Sequence, residues 1–501
     1  MNDVAIRTKR LKVGLEIHVE LQTRSKMFTR TPNVAHPDFE DAPPNTLVDP
    51  VVAALPGTLP VMNRAAVEMS MLVGLALGCD IARFSKWDRK NYYYPDLPKG
   101  YQISQYDLPL CHDGEFMIRT DEGDDRRIGI IRAHLEEDTG KLGHDLPGGS
   151  TFEGSLVDLN RAGTPLLEIV THPDFDRAED VVTFGQELRV LCRFLGVTQG
   201  VMQRGHMRFE PNINLEMELE DGRVVKTPIV EVKNLNSFRA VRGAIEHEYD
   251  RQELEWRETG REMGPGAKST YGWDDEKMVT VLQREKEDAH DYRYFPDPDL
   301  VPVVVDDAWL QEVRAQLPEL PAARRNRYVD VFGLREKDAV VLVEERGLSE
   351  LFEASVATLN DGSAVAIAKL LLNQCAKRAN ESGCGVHQLG ISADQIAGLI
   401  KLREADELGT QSIDALLALL SESDDSAREL AEREGLLVIL DESQLDAWCD
   451  EAIAANEQAA EDVRNGKMAA IGRLVGHVMK SSGGSVDAKS VQAGLRKKLS
   501  S

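Results

Sequence analysis

The sequence predicts an α+β protein: a largely antiparallel-sheet domain over residues 1–300, followed by two all-α domains, 301–400 and 401–501. Three observations lead there. Residues 13–22 and 209–220 alternate apolar and polar side chains almost without fault, the period of a strand with one buried face. Pro296, Pro298, Pro302, Pro318 and Pro321 punctuate the exit from that texture. Beyond Pro321 apolar residues recur at spacings of three and four.

The elements follow in order. Val13, Leu15, Ile17, Val19 and Leu21 form the apolar face of a first strand, with Glu16, His18 and Glu20 opposite. Helices are expected at 64–77 and 178–194. A strand at 209–220 turns Phe209, Ile213, Leu215, Met217 and Leu219 one way and Arg208, Glu210, Asn212, Asn214 and Glu216 the other. Asp221-Gly222 supplies a hairpin turn, and 224–233 returns as one further strand. Helical periodicity resumes at 364–375 and 393–402, with a soft boundary near Lys401. Near the C-terminus Met468, Ile471, Leu474, Val475, Val478 and Met479 share one helical face, and 481–485 reads as a flexible linker.

Composition narrows the function. The formal net charge of −26 argues against a sequence-independent binder of polyanions, because phosphate binding needs neutralising Lys and Arg. The charge is segregated, however: 401–463 carries −14, 464–501 carries +7 and the first 400 residues −19. Lys467, Arg473, Lys480, Arg496, Lys497 and Lys498 make that basic tail a candidate for RNA backbone contact. Neither a signal peptide nor a membrane-spanning run is visible, so no membrane partner is expected. Six scattered cysteines without a CxxC pair read as reduced thiols of a cytoplasmic protein. P-loop, dinucleotide-binding and zincin motifs are missing.

Carboxylates and imidazoles on the polar strand faces carry the chemistry. Glu16 and His18 leave one face ~6.6 Å apart along the strand. His134-Leu135-Glu136-Glu137-Asp138 crowds acids that repel unless a cation or proton neutralises them, and Glu210 and Glu231 add two more. Oxygen-rich sites with one imidazole suit a hard divalent cation, and Mg²⁺ is expected. The loop 86–102 combines Lys90 and Lys99 with tyrosines and prolines, which suits phosphate holding and stacking on a base or sugar.

Several long motifs then resemble one family. Val13-Gly14-Leu15-Glu16-Ile17-His18-Val19-Glu20-Leu21, Tyr94-Pro95-Asp96-Leu97-Pro98-Lys99-Gly100-Tyr101-Gln102, His134-Leu135-Glu136-Glu137-Asp138-Thr139-Gly140-Lys141, Lys233-Asn234-Leu235-Asn236-Ser237-Phe238 and Asp291-Tyr292-Arg293-Tyr294-Phe295-Pro296 resemble the B subunits of bacterial tRNA-dependent amidotransferases. So do Asp158-Leu159-Asn160-Arg161-Ala162-Gly163-Thr164-Pro165 and Leu474-Val475-Gly476-His477-Val478-Met479-Lys480, so the similarity runs nearly end to end.

The resemblance implies a cradle domain, a helical domain and a tRNA-holding tail, working in a heterotrimer with an amidase (the A subunit) and a small third chain (the C subunit). It implies a protein that uses ATP to activate the side-chain carboxylate of Glu-tRNA(Gln) or Asp-tRNA(Asn), then amidates it with glutamine-derived ammonia. Glu16, His18, Glu137 and Glu231 match its metal ligands; Glu136, Glu137 and Glu210 are the implied catalytic carboxylates, and Lys90 and Lys99 the implied phosphate holders. Glu210 stands where many members have aspartate, and Asp49-Pro50-Val51-Val52 where many have Cys-Pro-Val-Cys, so no zinc function carries over. The rival reading is a non-catalytic tRNA-docking scaffold. The related archaeal protein has a large inserted domain for which 501 residues leave no room.

Overall fold

A computed structural model describes residues 4–145, 151–285, 292–437, 442–482, 486 and 488–499. Its elements are those of an α+β protein. The chain divides into two compact units, Met1–Pro321 and Ala322–Ser501. One buried core spans residues from Leu11 to Val313, a second Tyr328 to Ala431 and a third Leu445 to Leu499. Leu310 and Val313 thus belong to the first core, beyond residue 300. Lys401 lies inside the helix Ala393–Glu404, whose Leu399, Ile400 and Leu402 share a core with Ile413 and Leu416.

The first unit is built on a ten-stranded sheet. Ile6–Glu20 lies at its middle, antiparallel to Met207–Leu219 on one side and Pro165–Thr171 on the other. Asp125–Glu137, Cys111–Arg119 and Asp80–Ile81 extend the sheet beyond Pro165–Thr171. Val230–Lys233, Ser269–Asp274 and Val279–Glu285 extend it the other way, and the first two of these pair in parallel. Alternation explains the layering: Val13, Leu15, Ile17 and Val19 are fully buried under the helices Arg64–Ala76, Ala178–Phe194 and Phe238–Thr259, while the even-numbered face stays polar. The first helix approaches Cys111–Arg119 so closely that a Cβ on Gly74 would sit 2.5 Å from Cys111 Sγ.

Three expectations are corrected. The single strand at 224–233 is two, Val224–Lys226 and Val230–Lys233, because Pro228 cannot donate to a ladder. Phe238–Thr259 is a helix the apolar pattern did not reveal; Ser237 Oγ accepts the Ala240 N–H at 3.1 Å, and Gly260 closes it at φ +71°. At the C-terminal end Ile471, Leu474 and Val478 are buried on the helix Ile471–Ser481, but Met468 precedes that helix and is 44% exposed. Of the linker at 481–485, Ser481 ends that helix, while Gly483, Gly484 and Ser485 lie outside the described residues, as does Asp291.

A small three-stranded sheet, Phe295–Pro296, Asp88–Asn91 and Tyr101–Ser104, completes the surroundings of the polar face. Arg89 fastens it, donating to Asp297 at 2.6 Å. Among the described residues no helix is long and apolar enough to cross a membrane.

Candidate active site

A cavity of about 1080 Å³ opens on the polar face. Register assembles its charged floor. Directly opposite residues on antiparallel strands project side by side. Glu16 faces Glu210, and His18 faces Glu168, which in turn faces His134. Asn212 pairs with both Gly14 and Glu231, bringing the last acid beside Glu16.

Two clusters result. In the first, single ligand atoms of His18, Glu136 and Glu168 lie within 4.8 Å of one another; His18 Nε2 is 3.5 Å from Glu168 and 4.0 Å from Glu136. In the second, Glu16, Glu210 and Glu231 meet the same criterion. Lys233 Nζ donates to Glu210 and lies 3.1 Å from Glu231, while Thr270 Oγ1 donates to Glu231 at 3.2 Å. The clusters touch where His18 Nδ1 comes 3.8 Å from Glu210. Among the described residues, His18 Nδ1, His134 Nδ1 and Asn212 Oδ1 are buried without hydrogen-bond partners. Carboxylate oxygens, one imidazole and such unsatisfied buried atoms are a donor set that fits a hard divalent cation.

The electrostatics follow from burial and charge. Burial works against the charged form of His18, but the Glu168 hydrogen bond and the nearby Glu210 hold its pKa above the ordinary value. Burial also opposes Lys90, yet Glu136, 3.7 Å from its Nζ, and Glu168 keep it well above the usual lysine range. Glu168 is pulled well below the carboxylate range by His134 and His18 despite its burial. His134 is lowered, chiefly by desolvation. Tyrosines rim this floor: Tyr106 and Tyr294 stack with centroids 4.3 Å apart, and Tyr292 stands 5.5 Å from Lys90 Nζ. Burial drives the Tyr294 hydroxyl up to about 12.

The sequence-derived residues divide. Glu16, His18, Glu136, Glu210, Glu231 and Lys90 line the cavity. Glu137 and Lys99 do not; they line a separate recess with Phe28, Val51 and Pro98. Adjacent residues on a strand leave opposite faces, so Glu137 turns away from Glu136 and accepts from Lys99 Nζ and, at 3.0 Å, from the Ile103 N–H. Glu168 was missed; its one signal is a lone acid in the apolar run Pro165–Thr171. Lys233 and the stacked Tyr106–Tyr294 pair were not assigned to the site either. In the tail Arg473, Lys480, Arg496 and Lys497 are exposed. Lys467 pairs with Asp462 at 3.1 Å, and Lys498 turns back to Asp450 at 2.9 Å.

Comparison with known proteins agrees with this architecture. Residues 11–311 match the GatB/GatE catalytic domain, and residues 350–499 match the GatB domain. The chain is 42% identical to the B subunit of the aspartyl/glutamyl-tRNA(Asn/Gln) amidotransferase of Rhodopirellula baltica over 472 residues, covering 94% of this chain and 93% of that protein. It is 44% identical to the protein of the same name from Thermomicrobium roseum over 474 residues, 94% and 95% of the two chains. For Thermosynechococcus vestitus the identity is 42% over 504 residues, with 99% and 98% covered. The sheet, its acid-lined face and this end-to-end similarity place the chain in the family of aspartyl/glutamyl-tRNA(Asn/Gln) amidotransferase B subunits.

Proposed function

We propose that this chain is the amide-forming member of a tRNA-dependent amidotransferase, acting in the cytoplasm with an amidase (the A subunit) and a small third chain (the C subunit). Its substrates are Glu-tRNA(Gln), Asp-tRNA(Asn) or both, with ATP as phosphoryl donor. The observation that carries this reading is the pair of acid clusters on one sheet face, joined at His18.

A carboxylate resists attack by ammonia, so it must first be given a leaving group. One side-chain oxygen attacks the γ-phosphorus of ATP and ADP departs. Ammonia nitrogen then attacks the acyl carbon, phosphate leaves and a proton is lost from nitrogen. His18, Glu136 and Glu168 would hold one Mg²⁺ and Glu16, Glu210 and Glu231 a second; bound there, the ion neutralises phosphate charge. Lys90, kept cationic beside Glu136, steadies phosphate oxygens. The tyrosine rim narrows access for water, which would otherwise hydrolyse the activated acyl group. Glu137 and Lys99 instead pin the loop to the strand end. The exposed Arg473, Lys480, Arg496 and Lys497 hold the tRNA backbone.

Glu136→Gln in the reconstituted complex is expected to lower transamidation by at least about a hundredfold while tRNA affinity stays within about twofold, and chelation of Mg²⁺ to do the same. Undiminished transamidation by Glu136→Gln would favour the tRNA-docking scaffold instead.

A further inference from the structure

The cavity floor holds one cation that no carboxylate answers. Of the lysines and arginines lining it, Lys90 lies 3.7 Å from Glu136, Arg208 2.6 Å from Asp138 and Lys233 3.1 Å from Glu231. Arg132 lines the same cavity. Among the described residues it forms no hydrogen bond or ion pair, and its Nε is buried without a partner. A charged donor left unmatched in this way costs more than a neutral one. Register explains the vacancy. Arg132 on Asp125–Glu137 pairs with Val170, and Val170 with Glu16. The apolar Val170 thus stands between Arg132 and the Glu16 cluster, two strands or ~9.6 Å across. Along its own strand the next side chain on this face is His134, whose pKa is lowered by desolvation and further by the Arg132 charge.

The chemistry of a guanidinium says what completes it. It carries five N–H donors in a planar fork and no acceptor, so its best partner presents two coplanar acceptor oxygens. A side-chain carboxylate is such a group. A carboxamide is not, because one of its two positions is an NH₂ that sets donor against donor. The ~9.6 Å between the strand positions of Arg132 and Glu16 leaves room for a carboxylate at the guanidinium and, between it and the acid clusters, for the phosphoryl group that it attacks.

We propose that Arg132 is the receptor for the side-chain carboxylate of the misacylated tRNA, and that it separates substrate from product by charge and hydrogen-bond pattern. The assignment rests on the reading above that the complex amidates Glu-tRNA(Gln) or Asp-tRNA(Asn). Amidation itself then empties the subsite: one acceptor oxygen facing the fork is replaced by an NH₂, and the neutral side chain leaves the guanidinium unmatched again. The same contact keeps tRNA that already carries the amide from occupying the site.

The test is equilibrium binding to the assembled amidotransferase without ATP, with the KM for ATP measured alongside. Misacylated tRNA is compared with its amidated product, as the Glu/Gln pair on tRNA(Gln) and the Asp/Asn pair on tRNA(Asn). For the pair that the complex amidates, the wild type is expected to prefer the acid at least about tenfold. Arg132→Met, of similar length but uncharged, should bring that ratio to within about twofold of unity. Its affinity for the amidated tRNA should stay within about twofold of the wild type's, which also reports an intact fold. Arg132→Lys keeps the charge but loses the fork, and should lower the ratio at least about threefold. Should Arg132→Met fail to assemble, Arg132→Lys decides alone. An undiminished preference in Arg132→Met overturns the proposal, as does a wild type with none. So does an equal loss of affinity for acid and amide, which would put a tRNA phosphate at Arg132. An unchanged ratio with a raised KM for ATP also overturns it, and would put a nucleotide phosphate there. The functional reading fails separately, if the wild-type complex forms no amide on either tRNA with ATP and Mg²⁺.

Discussion

Single side chains in this protein are used according to what surrounds them. Glu168 is held anionic between two imidazoles, so Glu168→Gln is expected to lower transamidation at least about a hundredfold without shifting tRNA affinity, measured by filter binding alongside product formation. Lys26 shows the opposite situation. It is fully buried, donates to Ala162 O at 2.6 Å, and is lowered from 10.5 to about 8 by desolvation, which Asp49 and Glu137 only partly offset. The unfolded chain binds the extra proton between those values, so the lysine weighs against folding most below pH 8, and that weight lifts as pH rises to 10.5. The stability of the wild type should therefore gain on that of Lys26→Met between pH 7.5 and 10, by on the order of 3 kcal/mol across the full window, read from denaturant melts. A constant difference would show that Lys26 is not depressed. At this scale sequence reading saw carboxylates but not their directions. Glu136 and Glu137 are equivalent in a motif, and only the pleat assigns one to the cavity and the other to Lys99. Glu168 is only a lone acid in an apolar run to a reader of the sequence, because its meaning lies in register with His18 and His134, residues 150 and 34 positions away.

Elements were legible in proportion to how plainly one face is apolar. The stretches expected as strand, 13–20 within Ile6–Glu20 and 209–219 within Met207–Leu219, bury one face and alternate cleanly, whereas the first strand also extends back through Ile6–Lys12, where Arg7, Lys9, Arg10 and Lys12 hide any apolar face. Phe238–Thr259 buries Glu248 and Gln252 among its contacts; Gln252 donates to Ile213 O at 3.1 Å, so polar side chains occupy positions where a hydrophobic count looks for apolar ones. Val224–Lys233 alternated well enough to pass for one strand, and Pro228 was the overlooked breaker. The seam between Arg64–Ala76 and Cys111–Arg119 gives a prediction at this scale. In an ordinary helix Gly→Ala stabilises by up to about 1 kcal/mol. Here the added methyl meets Cys111 Sγ at 2.5 Å, so Gly74→Ala should instead destabilise by about 1–3 kcal/mol, read from urea titrations. Combining it with Cys111→Ala should return part of the loss, which a merely helical effect would not.

Over the whole molecule, charge is divided unevenly along the chain. The acidic sheet face lies in the first unit, and the basic residues of 464–501 offset little of the molecule's −26. Replacing Arg473, Lys480, Arg496 and Lys497 together by alanine should weaken tRNA binding and flatten its salt dependence by roughly 0.7–0.9 for each phosphate no longer neutralised. The order of the sheet also bears on how the protein is made. Its central strand, Ile6–Glu20, is synthesised first, but its two neighbours are Pro165–Thr171 and Met207–Leu219. At about 5–20 residues per second, the strand waits roughly ten to thirty seconds on the ribosome before either edge can pair. During that interval an apolar face and two rows of open backbone groups are exposed together, a template for pairing with other chains. The strand that anchors both halves of the candidate site thus stays an open template until residues 165–219 have been made.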